Sequence, residues 1–283
     1  MKPAGARGAR VWPRAFVAVT ALCAAACAAP LMKLPAGPGV PAPDAAGALA
    51  QATASCRAIR TLTADIAISG SAGGRRVRGR LSAGVSAPAS VRLELVAPFG
   101  PPAFIFAATA ADSTLLLPRD ERVVEHGNPA VVLNAVAGVP LNPADLVAML
   151  TGCVPEGALS GARELGPDWR VVHVSLGTVS YDVYAHRERG RLPWRLVVLM
   201  RQGPADGTIR IEYRDFQGEL PRSIRLVDNG GFRESDFDLR LALSQVETNV
   251  PLGPEVFRVE IPPSAAPITV DELRRARLGI RET

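Results

Sequence analysis

Residues 90–110 read SVRLELVAPFGPPAFIFAATA, and the fold of the chain turns on how this stretch is read. Val91, Leu93 and Leu95 alternate with Arg92 and Glu94, the period of two expected of a strand with one buried face. The return segment carries Phe104, Ile105 and Phe106. Between them lies Ala97-Pro98-Phe99-Gly100-Pro101-Pro102, in which proline fixes φ and removes a ladder donor while glycine tolerates positive φ. The stretch is therefore a β-hairpin with a stiff turn, and Phe99 stands at its tip. Two readings of Phe99 are open: a ring folded back on its own strands, or an apolar prong that enters a membrane or a partner's groove.

Outward from the hairpin the strand pattern continues. LTADIAISG (62–70) alternates, residues 71–74 make a Gly-rich turn, and RRVRGRLSAGV (75–85) follows. Downstream, 113–117 and 122–125 flank a Pro-Arg-Asp turn at 118–120. A second block comprises 169–175, 179–186, 192–201, 208–216, 223–228 and 235–244, with VFRVEIP (256–262) as a last strand. Consecutive short strands without long intervening helices argue for an antiparallel meander. The total is about a dozen strands with no fixed-period repeat and no linker between blocks, which favours one domain. The end of the chain is polar, either a helix from Asp271 or a frayed tail.

Helical signals are few. Asp44 is a candidate N-cap for a helix to Ile59, with Leu49, Ala52 and Cys56 on one face. PAVVLNAV (129–136) and PADLVAML (143–150) separate the two strand blocks. The second has Asn142 as cap, Pro143 at the first position, Asp145 in the first turn and Gly152 past the end. Leu146, Val147, Met149 and Leu150 leave it hardly any polar face, so it must be buried. Only a sheet that curves around it provides the cover.

The formal net charge of +5 invites a nucleic-acid partner. Yet Lys2, Arg7, Arg10 and Arg14 stand in residues 1–26 with no acid; without those four, 28 basic residues face 27 acidic ones. That balance argues against nucleic acid. Residues 1–26 have the layout of a secretory signal: a basic stretch to Arg14, then an apolar run at 15–26. The run is about twelve residues, and a bilayer needs about twenty. AAAC (24–27) resembles a bacterial lipobox, making Cys27 the lipidated, palmitate-bearing first residue of the mature protein; ordinary cleavage after an Ala-x-Ala site is the alternative. Cys23 is the poorer candidate, with bulky Leu22 before it. Residues 27–43 then form a Pro/Gly/Ala-rich tether, leading to a domain at 44–265 and a tail at 266–283. Ala28 after the cysteine favours the periplasmic face of the outer membrane, by analogy with other lipoproteins. Cys56 and Cys153 are either a disulfide or two buried thiols.

Catalytic chemistry is not apparent. His126, His173 and His186 lie outside metal-ligand spacing of one another. GALSG (157–161) lacks the hydrolase elbow, no dinucleotide or Walker motif occurs, and there is no CxxC. The carboxylates Asp215, Asp228, Glu234, Asp236 and Asp238 sit near arginines, as on solvated strand faces. RERGRLPWR (187–195) is a basic patch, read either as a turn and strand anchored by Trp194 or as a contact for anionic headgroups. No cofactor, no metal and no enzymatic activity are expected.

Three motifs in order, behind a lipobox, carry a resemblance: Ala97-Pro98-Phe99-Gly100 at the hairpin turn, AVAGVPLNPADLVAMLTGC (135–153), and IEYRDF…LPRSIRL (211–226). Together they resemble the LolB family of outer-membrane lipoproteins and, more broadly, the LolA/LolB-like fold, over residues 44–262. The resemblance implies a mainly β (α+β) domain: one strongly curved, unclosed, barrel-like antiparallel sheet of about 11 strands with short helices plugging its concave side. It implies a monomer that receives acylated lipoproteins from a soluble, LolA-like periplasmic carrier and passes them to the outer membrane. Phe99, supported by Pro98 and Gly100, would be the membrane-insertion prong. Leu93, Leu95, Phe104, Phe106, Leu146, Met149 and Leu150 would line the acyl cavity. Two rivals remain: the same fold with another lipid cargo or an assembly role, and a structural lipoprotein whose interior is filled by its own side chains.

Overall fold

Alternation of apolar and polar residues dominates the architecture, as β2 (Thr61–Ala72) shows: Leu62, Ala64 and Ile66 are buried while Thr63 and Asp65 are half-buried on the other face. The structure, a computed structural model, describes residues 30–189, 193–203, 207–228, 230 and 236–279, with backbone only for 276–279. The signal, Cys27, Leu192, Glu234 and Ser235 lie outside the described residues. Residues 33–283 form one compact unit, which contains every described strand and helix.

The chain begins with β1 (Val40–Pro41) and two helices, α1 (Ala45–Ala52) and α2 (Ala54–Arg57). The first block of strands is β2, β3 (Arg75–Ser86), β4 (Ser90–Val96), β5 (Phe104–Ala108), β6 (Ser113–Leu117) and β7 (Arg122–Gly127). Helices α3 (Pro129–Ala137) and α4 (Pro143–Thr151) follow. The second block is β8 (Ala158–Glu164), β9 (Trp169–Leu176), β10 (Val179–His186), β11 (Arg195–Gln202), β12 (Thr208–Arg214), β13 (Ser223–Asp228) and β14 (Phe237–Thr248). A short β15 (Ala266–Pro267) and α5 (Val270–Gly279) end it.

Among the described residues all strands join one sheet in the order β1-β8-β9-β10-β11-β12-β13-β14-β2-β3-β4-β5-β6-β7-β15. Pairing is antiparallel throughout except for β15 on β7. The two blocks meet in the middle through the long β14–β2 ladder, from Phe237↔Ala72 to Thr248↔Leu62. β7 and β8, consecutive in sequence, lie near opposite ends of the sheet, so the helical connection must cross from one end to the other. It crosses the inner face. α4 packs on β4, and its Asp145 meets Tyr181 of β10 and Arg201 of β11. A helix of nine residues, about 14 Å long, reaches both blocks only because the sheet bends around it.

The sheet has 15 strands rather than about 11. Two of the additions, β1 and β15, are two-residue strands containing Pro41 and Pro267. Proline is tolerated at a sheet edge, and such short additions leave no alternation to read. β8 gives no signal in the sequence because ALSGARE is mostly exposed and weak in β-formers; its ladder with β9 creates it. The expected helix 44–59 is interrupted at Thr53, whose Oγ1 donates to the Leu49 carbonyl at 2.9 Å. Asp44 makes no side-chain cap; its carboxylate accepts instead from Arg170 at 2.7 and 2.9 Å. The expected strand 256–262 is absent, replaced by a 3-10 turn at Pro254–Phe257 and irregular chain. Arg92 of β4 explains it, donating to the carbonyls of Val256 (3.1 Å) and Arg258 (2.8 Å) that a ladder would otherwise use. The tail does fold: Thr269 and Glu272 cap α5 reciprocally, and Leu273 is buried, with the helix lying on α3.

The outer face of the sheet is polar. Glu212, wholly buried, is held by Arg210 (2.6 Å) and Arg214 (2.8 Å), and Arg225 grips Asp238 through both oxygens at 2.7 and 2.6 Å. The Arg225 hydrogen bonds hold the Asp238 carboxyl below its ordinary 3.8, and Arg170 does the same for Asp44. The unfolded chain therefore takes up these protons at higher pH than the folded one, so their contribution is present above about pH 4 and is lost as pH falls through the lowered values. In urea titrations, Asp238→Asn is expected to lose less stability than wild type between about pH 5 and pH 3. Identical acid slopes would contradict this.

Candidate functional site

Two local sequences build the cover of the inner face. At α3, Asn128 caps through its side chain (Val131 N–H, 3.2 Å), Pro129 starts the helix, and Gly138 ends it in the left-handed region. At α4, Asn142 and Asp145 form a capping box at 2.9 and 3.2 Å, Pro143 follows the cap, and Gly152 terminates at φ 70°. Cys153, next in the chain, is joined to Cys56 of α2 by a disulfide with Cα atoms 5.4 Å apart. That bond fastens the far end of α4.

The near end is fastened by a buried polar cluster. The Tyr181 hydroxyl donates to Asp145 Oδ1 at 3.0 Å, and Arg201 Nε stands 3.2 Å from Oδ2. Burial, and then the adjacent Asp145 carboxylate, push the Tyr181 phenol well above its usual value, so it remains a donor. Nothing in the sequence marks Tyr181 or Arg201 as a pair for α4. The only signal is a carboxylate on a helix otherwise apolar on every side, which must find a partner when buried.

The residues expected to line a cavity do come together. Leu93, Phe106, Leu146, Met149 and Leu150 are buried and share one core, with Leu95 and Phe104 half-buried against it. Neither of the two described pockets is lined by any of them. One pocket, about 340 Å³, is polar and lies on the outer face between Asp65, Arg92, Glu94 and Glu247. The other, about 250 Å³, is apolar and lies between Leu49 of α1, Val154, Pro155 and Val174, with Arg57 beside it. It is smaller than the roughly 300–1,000 Å³ of ordinary ligand pockets. In this closed arrangement several acyl chains do not fit.

Partly covered apolar residues border the core in several places, one of them at the end of the sheet where β3 begins. Ile68, Val77, Leu95, Phe104, Val136 and Ala137 are only partly covered there. Strand register places them together: Val77 lies beyond the Arg80↔Val96 pair, Leu95 opposes Phe104, and Gly138 lies beside Ala72. The 97–103 turn projects from this same end. Its Phe99 ring is 89% exposed, so it does not fold back on its strands. Gly100 adopts φ 77°, and Arg119 holds the turn by donating to the carbonyls of Phe99 (3.0 Å) and Pro101 (3.2 Å). Sequence reading missed Arg119, which is near Phe99 only through the β5–β6–β7 meander.

Other candidates resolve into structure. Trp194 is buried with the guanidinium groups of Arg187 (4.5 Å) and Arg170 (5.0 Å) over its ring, and Arg187 also donates to the Pro167 carbonyl. Arg187 and Trp194 of the 187–195 patch thus anchor a strand, at the end of the sheet opposite Phe99, while residues 190–192 lie outside the described residues. His126 pairs with Asp112, His173 with Asp182, and His186 packs on Trp169, each in a different place. Among the described residues no three His, Cys, Asp or Glu are arranged to hold a metal, and no helix is long and apolar enough to cross a membrane.

No family model and no curated protein matches the sequence. Solved structures do. The chain is similar to a LolA superfamily protein from Nitrosomonas europaea, at 12% identity and a TM-score of 0.53, over 76% of this chain and 97% of that one. It is similar also to a DUF1329 family protein from Desulfovibrio piger, at 9% identity and a TM-score of 0.53, over 77% and 98%. At these identities the fold is what is shared, an unclosed, mainly antiparallel sheet with short helices.

Proposed function

We propose that this protein is a lipid-anchored component of the bacterial outer membrane that accepts the acyl chains of other lipoproteins into its apolar interior and passes them to the membrane, without catalysis. The observation that carries the reading is an apolar inner face covered by two nine-residue helices, with a bare phenylalanine on the turn at one end of it. The LolA-superfamily fold and the LolB-like motifs support it. A soluble carrier of the same fold would deliver the cargo.

The energetics require no nucleotide. Each methylene that leaves water gains about 0.8 kcal/mol, whether it enters the protein or a bilayer. Transfer between the two is therefore close to balanced, and a bilayer in excess draws the cargo onward. In this arrangement α3 and α4 cover the inner face, so uptake means displacing these helices from the sheet. Phe99 at the mouth would touch the membrane during release.

A Phe99→Glu variant tests the prong. Its stability is expected to stay within about 0.5 kcal/mol of wild type, since the ring buries almost nothing. Lipoprotein uptake should persist while insertion into vesicles is lost; unchanged insertion would remove the prong from the account. The packed interior also favours a second reading, a structural lipoprotein that binds no acyl chain. Mass spectrometry of the protein purified from envelopes without detergent separates the two: bound lipoprotein or another lipid supports a cargo role, and bare protein supports the structural one.

A further inference from the structure

The β3 strand carries a feature that lipid uptake does not use. Arg76, Arg78 and Arg80 occupy alternate positions, all exposed, opposite Ser71, Ser69 and Ala67 of β2. They share the outer face, while Val77 points inward to the core. No guanidinium of the three has an ion-pair or hydrogen-bond partner among the described residues. Of the acids nearby, Asp238 is held by Arg225 and Glu94 by Arg92, each at 2.6 Å. The stripe, about 13 Å long, is therefore a row of exposed positive charge with no ion-pair partner among the described residues. Arg80 pairs across to Val96, which is 46% exposed, and Val96 leads directly into the Phe99 turn.

We infer that the outer face of β3 at Arg76, Arg78 and Arg80, together with Val96 and Phe99, is a docking surface for an anionic bilayer. The guanidinium groups meet lipid phosphates while Phe99 enters the apolar layer beneath them. Charge complementarity selects an anionic partner. The apolar part selects a membrane over an acidic protein: a single phenylalanine on a stiff turn has none of the packed apolar surround of a protein hot spot, and a bilayer demands no matching shape. The inference deepens the proposed function by stating the chemistry of the membrane it meets, and rests on that reading only for the purpose of docking.

Flotation of the full chain with vesicles tests it, comparing phosphatidylcholine alone with equal parts phosphatidylcholine and phosphatidylglycerol. Wild type is expected to partition to the mixed vesicles preferentially and to be released by salt. The triple variant Arg76→Gln/Arg78→Gln/Arg80→Gln should lose about a hundredfold in partition to mixed vesicles, about fivefold per arginine. The corresponding triple lysine variant should retain it. Any background from the apolar run at 15–26 is common to all variants. The inference is overturned if the glutamine variant, folded by circular dichroism, partitions like wild type, or if wild type does not distinguish the two vesicle types. It is overturned also if wild type ignores mixed vesicles yet is retained on a polyglutamate resin. Uptake of an acylated peptide without vesicles is measured in parallel: if it is absent while docking persists, the cargo reading fails and this surface stands.

Discussion

The double variant Cys56→Ser/Cys153→Ser is expected to lose about 4–5 kcal/mol of unfolding free energy. The two cysteines are 97 residues apart, and in the chain-entropy model a cross-link closing about 100 residues removes roughly that much freedom from the unfolded chain. Urea unfolding under non-reducing conditions measures it, with the single serine variants as controls for an unpaired thiol. A functional consequence accompanies the loss, because the bond ties α2 to the residue after the α4 C-cap. Freed of it, α4 should leave the sheet more readily, and uptake of an acylated peptide should quicken even as stability falls. A variant as stable as wild type would show that the bond constrains little of the unfolded chain.

Asp145→Ala is expected to cost about 3–5 kcal/mol, because it strips the buried Arg201 guanidinium of its carboxylate and the Tyr181 hydroxyl of its acceptor. The capping box goes with it, since Asp145 also accepts the Asn142 N–H. A companion double variant, Asp145→Ala/Arg201→Met, separates these contributions. With the stranded charge gone, it should recover a large part of the stability lost by Asp145→Ala alone. No recovery would mean that the cap, and not the ion pair, is what Asp145 supplies. Asp145→Asn, which keeps an acceptor for the cap but no charge for Arg201, should loosen α4 with a smaller loss and raise the rate of acyl uptake.

Much of the architecture is legible in the sequence because it rests on local patterns. Alternation locates both blocks of strands, and the Asn-Pro starts and glycine stops locate α3 and α4. The demand that an all-round apolar helix be buried anticipates a bent sheet. What is not legible depends on distant partners. β8 exists because β9 offers a ladder, and 256–262 is not a strand because Arg92 takes its carbonyls. Asp44 is not a cap because Arg170 is a stronger partner for its carboxylate. The seven apolar residues that the resemblance groups together do share one interior. The basic segment at 187–195 reads in the sequence either as a strand anchored by Trp194 or as a headgroup contact, while RRVRGR reads only as a strand, yet it puts three arginines without a described partner on one outer face. Charge density in sequence says little until partners are known: Arg187 is committed to Trp194 and Pro167, and Arg78 to nothing described.

The central claim is that the closed interior opens to admit acyl chains. Titration of the full chain with a fluorescent triacylated lipopeptide, in detergent-free buffer, tests it most directly. The account predicts saturable uptake of one lipopeptide per chain into a soluble complex, accelerated in Asp145→Asn. A wild-type chain that leaves the lipopeptide aggregated, with Asp145→Asn no better, would contradict it.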